Sequence, residues 1–137
     1  MHKIERMQYG FRITNSGQLN IEEAEELKCE LLQTLSNYGK PFCLLIDIRG
    51  LVPVSSDVMD AMRDLQRACC EMSLERVAIV VASPVLRGQA AQVSFDAGSS
   101  KHDRVIDASK VPDWEEQAIA WLVHGVEPSQ SPVRPQA

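Results

Sequence analysis

Aromatic residues make up only 5% of the chain, and there are just three histidines. No two cysteines form a C-x-x-C pair, and none neighbours a histidine at ligand spacing. Cys29, Cys43, Cys69 and Cys70 therefore make no zinc-type set, so no metal and no cofactor are expected. The plain reading is four small hydrophobes kept reduced, with a redox role left open for Cys69 or for Cys70, the more exposed of that pair. No Gly-x-Gly-x-x-Gly, Walker loop or Gly-x-Ser-x-Gly elbow is present, which argues against a nucleotide cradle and a hydrolase nucleophile. No apolar run approaches the ~18 residues of a membrane span. The first residues, Met1 to Arg6, carry no apolar core of a signal peptide, so a cytoplasmic protein is expected. Basic residues number 14 against 19 acidic ones, giving a net charge of -5. With no basic cluster, nucleic acid is not expected as a partner.

What is present is an ordinary globular composition, 45% hydrophobic and 24% charged over 137 residues. That length suits one domain, large enough to bury roughly two-thirds of its unfolded surface. The chain is organised around Phe42 to Asp57. Its apolar start reads as a strand buried on both faces, broken at Gly50 and Pro53, with Ser55-Ser56-Asp57 before the next helix. Upstream, Tyr9 to Thr14 alternates weakly and suits a half-buried strand at an edge, where a second copy would add to form a homodimer. Ile4 to Gln8 either extends it or forms its own strand, and Asn15-Ser16-Gly17 reads as a turn. Asn20 caps a helix to about Asn37, with Glu23 reaching back in a capping box, and Gly39 ends it.

Downstream, Val58, Met62, Leu65, Cys69 and Met72 recur at spacings of four and three, which predicts an amphipathic helix. Arg76 to Ala82 is a second central strand. Ser83 and Pro84 open a helix with Leu86, Ala90, Val93 and Ala97 on its buried stripe. A short strand at Arg104 to Asp107 and a last helix from Pro112 to Gly125 complete a domain over residues 1–125. Residues 126–137 read as a disordered tail. The alternation predicts an α/β fold, a mostly parallel central sheet of four to five strands covered by about four helices.

Few residues carry candidate chemistry. Asp47 closes the central strand at its carboxyl end, where it serves either a ligand or the following turn. His102, between Lys101 and Asp103, is the other catalytic candidate, but no nucleophile–base pair is visible and no enzyme is expected. Ser55 and Ser56 are natural helix caps. A phosphoryl group at that helix start would also be favoured by free amides and the dipole.

The run from Asp47-Ile48-Arg49-Gly50-Leu51 through Ser55-Ser56 to a helix, then Val77-Ala78-Ile79-Val80-Val81, resembles the STAS domains of the SpoIIAA type. The closing Ala118-Ile119-Ala120-Trp121-Leu122 is similar to a segment of the SpoIIAA-like branch of the STAS and SEC14-like superfamily. The likeness covers roughly residues 9 to 124. In the anti-sigma factor antagonists the strand-to-helix loop carries Asp-Ser-Ser/Thr-Gly, and its first hydroxyl is phosphorylated. Ser56 falls on that hydroxyl, whereas Ser55, Asp57 and Val58 depart from the motif.

The resemblance implies a non-enzymatic regulatory module that binds a protein partner, such as an anti-sigma factor or a kinase-like regulator. Ser56 is then the phosphoacceptor, and Asp47, Ser55, Asp57, Arg63 and Arg67 form the switch loop and binding face. The alternative is a carrier of a lipid or another apolar ligand. Its pocket, of several hundred Å3, would lie beneath Met59, Met62, Leu86 and Val93.

Overall fold

The structure is a computed structural model and describes residues 1–129. Strands β1 (His2–Met7) and β2 (Gly10–Gly17) form an antiparallel hairpin. The chain then alternates: α1 (Ile21–Tyr38), β3 (Phe42–Leu51), α2 (Ser56–Cys70), β4 (Leu74–Val81), α3 (Pro84–Ala97), β5 (Asp103–Asp107) and α4 (Trp114–His124). The strands lie in sequence order, with β2 to β5 all parallel. Right-handed crossovers that always step the same way place their helices on the same face. Accordingly α1, α2 and α3 pack side by side there, and α4 alone covers β3, β4 and β5 on the other. The expected α/β fold and strand count are therefore found.

The apolar run of β3 follows from this sandwich. Phe42 and Leu44 enter the core beneath α1–α3, while Cys43 and Leu45 enter the core beneath α4. Strand β4 divides in the same way, Val77, Ile79 and Val81 against Ala78 and Val80. Small residues at Cys43 and Ala78 let α4 approach closely. There Trp121 is buried and its Nε1 donates to the Val77 carbonyl at 3.0 Å.

Several expectations change. Of the two readings of Ile4–Gln8, a strand of its own is found, but the edge moves: β1 pairs antiparallel with β2 and is itself the edge, while β2 is flanked on both sides. Asn15 to Gly17 belong to β2, whose pairing with β3 shifts register between Thr14 and Ser16. The bulge explains why a turn-like sequence sits in a strand. Asn20 caps α1 by accepting from the Glu23 amide at 2.9 Å. The Glu23 side chain does not reach back, however; it holds the Met1 ammonium at 3.2 Å. Met72 lies past the end of α2 rather than on it. At the carboxyl end, Arg104 pairs with Glu127 at 2.7 Å and Pro128 is buried, so the segment from Val126 begins by lying against β5. The rest of the expected tail, 130–137, lies outside the described residues.

Candidate functional site

The link from β3 to α2 is held at three points. The Val52 amide donates to Gly17 O at 2.9 Å. The Val54 amide and carbonyl both bond the Gln89 side chain of α3, at 3.0 and 2.8 Å. Ser55 takes the N-cap position of α2, and its carbonyl accepts the first helical bond from Met59. Its hydroxyl makes no cap bond to the backbone. It donates to the Asp57 carboxylate, which also accepts from the Val58 amide. The Ser55 hydroxyl thereby holds the Asp57 carboxyl below its ordinary value. Ser56 follows, exposed, with no hydrogen bond from its hydroxyl to any described residue.

The outer side of α2 is charged but largely self-satisfied. Arg63 bonds Asp60 and Asp64, both at 3.1 Å. Arg67 donates to the Asp96 carbonyl of α3 at 2.8 Å. Ser56, Asp57, Arg63 and Arg67 thus lie along one helix and its loop.

Asp47 does not join them. The strand continues four residues beyond it, and alternation along β3 turns Asp47 toward the α4 side of the sheet. There it is 3% exposed. Arg12 donates to it at 3.0 Å, and Arg49 grips both of its oxygens at 2.9 Å. Arg12 also reaches Glu115 at 3.0 Å, while the Arg49 guanidinium stacks 4.2 Å from the Trp114 ring. Burial pushes the Asp47 carboxyl up, but the Arg49 and Arg12 bonds outweigh it and hold it below its ordinary value. The cluster fastens the start of α4 to the sheet, a structural role other than the cap of a following turn, since no turn follows Asp47 directly. Adjacent Asp47 and Arg49 in an i, i+2 pattern signal a shared strand face; nothing in the sequence signals Arg12 and Trp114 as their partners.

His102 is half-buried, with Nδ1 3.1 Å from the Glu75 carbonyl. Among the described residues no histidine side chain bonds a serine or cysteine side chain, and no three acidic, histidine or cysteine side chains cluster as metal ligands. No helix among them is long and apolar enough to cross a membrane. All four cysteines are free. Burial pushes the Cys69 thiol up to about 12 and also raises Cys70, which is half-buried rather than exposed. Both shifts run against thiolate formation.

Met59, Met62, Leu86 and Val93 do come together. They line an apolar cavity of about 110 Å3 between α1, α2, α3 and the carboxyl halves of β2, β3 and β4. It is smaller than the several hundred Å3 of the carrier reading. Asn15 and Gln66 were not foreseen in this region. Asn15 lines the cavity, is 3% exposed, and its Oδ1 has no hydrogen-bond partner among the described residues. Gln66 donates to buried Asp103 at 2.7 Å, a carboxylate that Ser94 and Ser99 also approach. Burial raises the Asp103 carboxyl despite those three donors. Polar residues beside the helical stripes, Gln66 after Leu65 and Ser94 after Val93, are the sequence signal for this network.

The fold with these features is SpoIIAA-like, as the sequence resemblance implied. The chain is similar to the solved structure of the anti-sigma factor antagonist SpoIIAA in its unphosphorylated form. The TM-score is 0.56 at 13% identity, covering 85% of this chain and 96% of that one. It is also similar to an uncharacterised protein of the DUF3478 family with a SpoIIAA-like fold from Shewanella loihica PV-4. There the TM-score is 0.60 at 21% identity, with 89% and 92% covered. No protein-family model matches the chain, and no curated protein matches it.

Proposed function

We propose that this chain is a non-enzymatic regulatory module that binds a protein partner through the Ser55–Asp57 loop and the outer side of α2, with Ser56 as its phosphoacceptor. The observation that carries the reading is the Ser56 hydroxyl, exposed and without a hydrogen-bond partner among the described residues, at the first turn of a helix in a SpoIIAA-like fold. Phosphorylation there adds a charge of about -1.5 to -2. The surface that receives it already bears Asp57, Asp60 and Asp64, so the modified face repels an acidic partner and reorganises the Ser55–Asp57 contact. An anti-sigma factor or kinase-like regulator is the kind of partner proposed, and the compartment proposed is the cytoplasm. The free edge of β1 is the proposed site for a second copy.

The test takes a partner isolated by crosslinking in the native host and titrates it calorimetrically. Ser56→Asp is expected to weaken binding at least tenfold, and Ser56→Ala to bind like the unmodified protein and resist any kinase-dependent release. Wild-type affinity in the Asp variant, with release intact in the Ala variant, would remove Ser56 as the switch.

A second reading, binding of an apolar small molecule, is favoured by the cavity lined by Met59, Met62, Leu86 and Val93.

A further inference from the structure

Strand β1 is an edge of the sheet, and the chemistry along it is complementary to itself when reversed. Among the described residues no strand but β2 pairs with it. That pairing runs from His2 to Met7 without a shift of register, and no proline interrupts it. Edges are commonly blunted by a bulge, a proline or an unbalanced charge, and the first two are absent here. The opposite edge differs. The segment from Val126 lies against β5, with Glu127 on Arg104 and Pro128 buried.

Hydrogen bonding fixes which backbone groups of β1 are free. Met1 and Ser16 exchange both backbone bonds, at 3.2 and 3.1 Å. In an antiparallel ladder such pairs alternate with pairs that exchange none. Lys3, Glu5 and Met7 therefore turn their amides and carbonyls to β2. His2, Ile4 and Arg6 turn theirs outward, so a second strand must bond to these residues. A twofold axis then leaves registers centred on Lys3, Ile4 or Glu5 as those in which at least two of them find a partner.

The side chains choose among the registers. His2, Ile4 and Arg6 face α1, where Ile4 joins the core, Arg6 lies over Tyr38 and His2 sits beside Glu30. Met1, Lys3, Glu5 and Met7 stand on the other face, where α4 covers β3, β4 and β5 but not β1. In order they read apolar, basic, acidic, apolar. Met1 is 81% exposed, and Lys3 and Glu5 meet at 3.5 Å in solvent. The register centred on Lys3 sets Lys3 against its own copy, and the one centred on Glu5 does the same to Glu5. Like charges directly opposite destabilise a strand pair. The register centred on Ile4 sets Lys3 against the partner's Glu5 and Met1 against the partner's Met7. It also engages His2, Ile4 and Arg6 together. His2 then faces the partner's Arg6, with the Glu30 carboxylate 3.5 Å from His2 to balance the added charge.

We propose that two copies of this chain join β1 to β1, antiparallel about a twofold axis at Ile4, so that one sheet runs through both protomers and the Lys3–Glu5 pairs set the register. The proposal rests on the reading above that β1 receives a second copy; it adds the register and the residues that select it. One short strand pair is a small interface, so the dimer belongs to the weak, transient class.

The experiment is sedimentation equilibrium of the full chain over a dilution series, for wild type, Lys3→Glu, Glu5→Lys and the double variant. Both side chains lie in solvent, so these replacements leave the core untouched. Wild type is expected to dimerise and to dissociate on dilution. Each single reversal places like charges opposite each other at both symmetry-related positions and should weaken the dimer about tenfold or more. The double variant exchanges the charges, restores both cross-strand pairs and should return to within about threefold of wild type. A dimer that tolerates both single reversals, or that the double variant fails to restore, would overturn the register and leave a second copy on β1 by another pairing. A wild-type monomer at every concentration would overturn the second-copy reading, and the proposal with it.

Discussion

Gly10→Ala should be among the most damaging single substitutions in this chain, at a cost of about 3 kcal/mol or more. Gly10 begins β2 at φ +145 and pairs with Cys43 of β3. A Cβ there would lie 2.1 Å from the Cys43 carbonyl oxygen and 2.7 Å from its nitrogen. Both obstacles are backbone in the central strand, so neither can rotate away. Relief would require parting β2 from β3 and losing the bond from the Cys43 amide to Tyr9 O, now 2.9 Å. A domain of this kind has only about 5–15 kcal/mol in total. The midpoint of urea unfolding should fall sharply. Gly88→Ala is the matched control: it lies inside α3 with nothing within 4 Å of its added methyl. It should stabilise the protein by up to about 1 kcal/mol. Similar midpoints for the two variants would refute the close approach of β2 to β3.

Asp47→Asn should cost about 3 kcal/mol at neutral pH and much less in acid. The carboxylate is almost wholly buried and is the shared partner of Arg12 and Arg49. Removing its charge leaves two guanidiniums facing each other without the group between them. Breaking a buried pair costs about 3–5 kcal/mol, and the partial exposure of Arg49 places this case at the lower end. Since the folded-state pKa lies below the ordinary 3.8, the native protein holds the ionised form more strongly than the unfolded chain does. That contribution is fully present above the unfolded value and is lost as pH falls through the folded one. The stability difference between wild type and Asp47→Asn should therefore be flat from pH 7 to about pH 5 and shrink below pH 4. A difference that stays constant down to pH 3 would show that the ion pairs do not set the carboxyl's proton affinity.

These two positions also mark what was legible in the sequence. The α/β alternation was readable because β3 and β4 are apolar on both faces and each helix carries a stripe between clear caps, such as Asn20 and Ser83. The hairpin was ambiguous. His2–Met7 buries no residue fully and shows no regular alternation, and the bulge at Thr14–Ser16 hides the end of β2 under turn-forming residues. Asp47 was visible as a charge in an apolar strand, but not its side of the sheet. That depends on parity along β3 and on where α4 docks, which is a tertiary fact. The four cavity residues were readable as facing positions of α2 and α3. Asn15 was not, because an asparagine beside Ser16 and Gly17 looks like a turn until the bulge turns it inward.

The measurement that bears most directly on the Ser55–Asp57 loop as the regulated surface is mass spectrometry of the protein purified from its own host, first native and then denatured. A covalent phosphate that survives denaturation and maps to Ser56 is the predicted result. A phosphate on another residue, or an unmodified Ser55–Ser56 peptide under every growth condition sampled, would contradict it and leave these hydroxyls as part of the helix start alone.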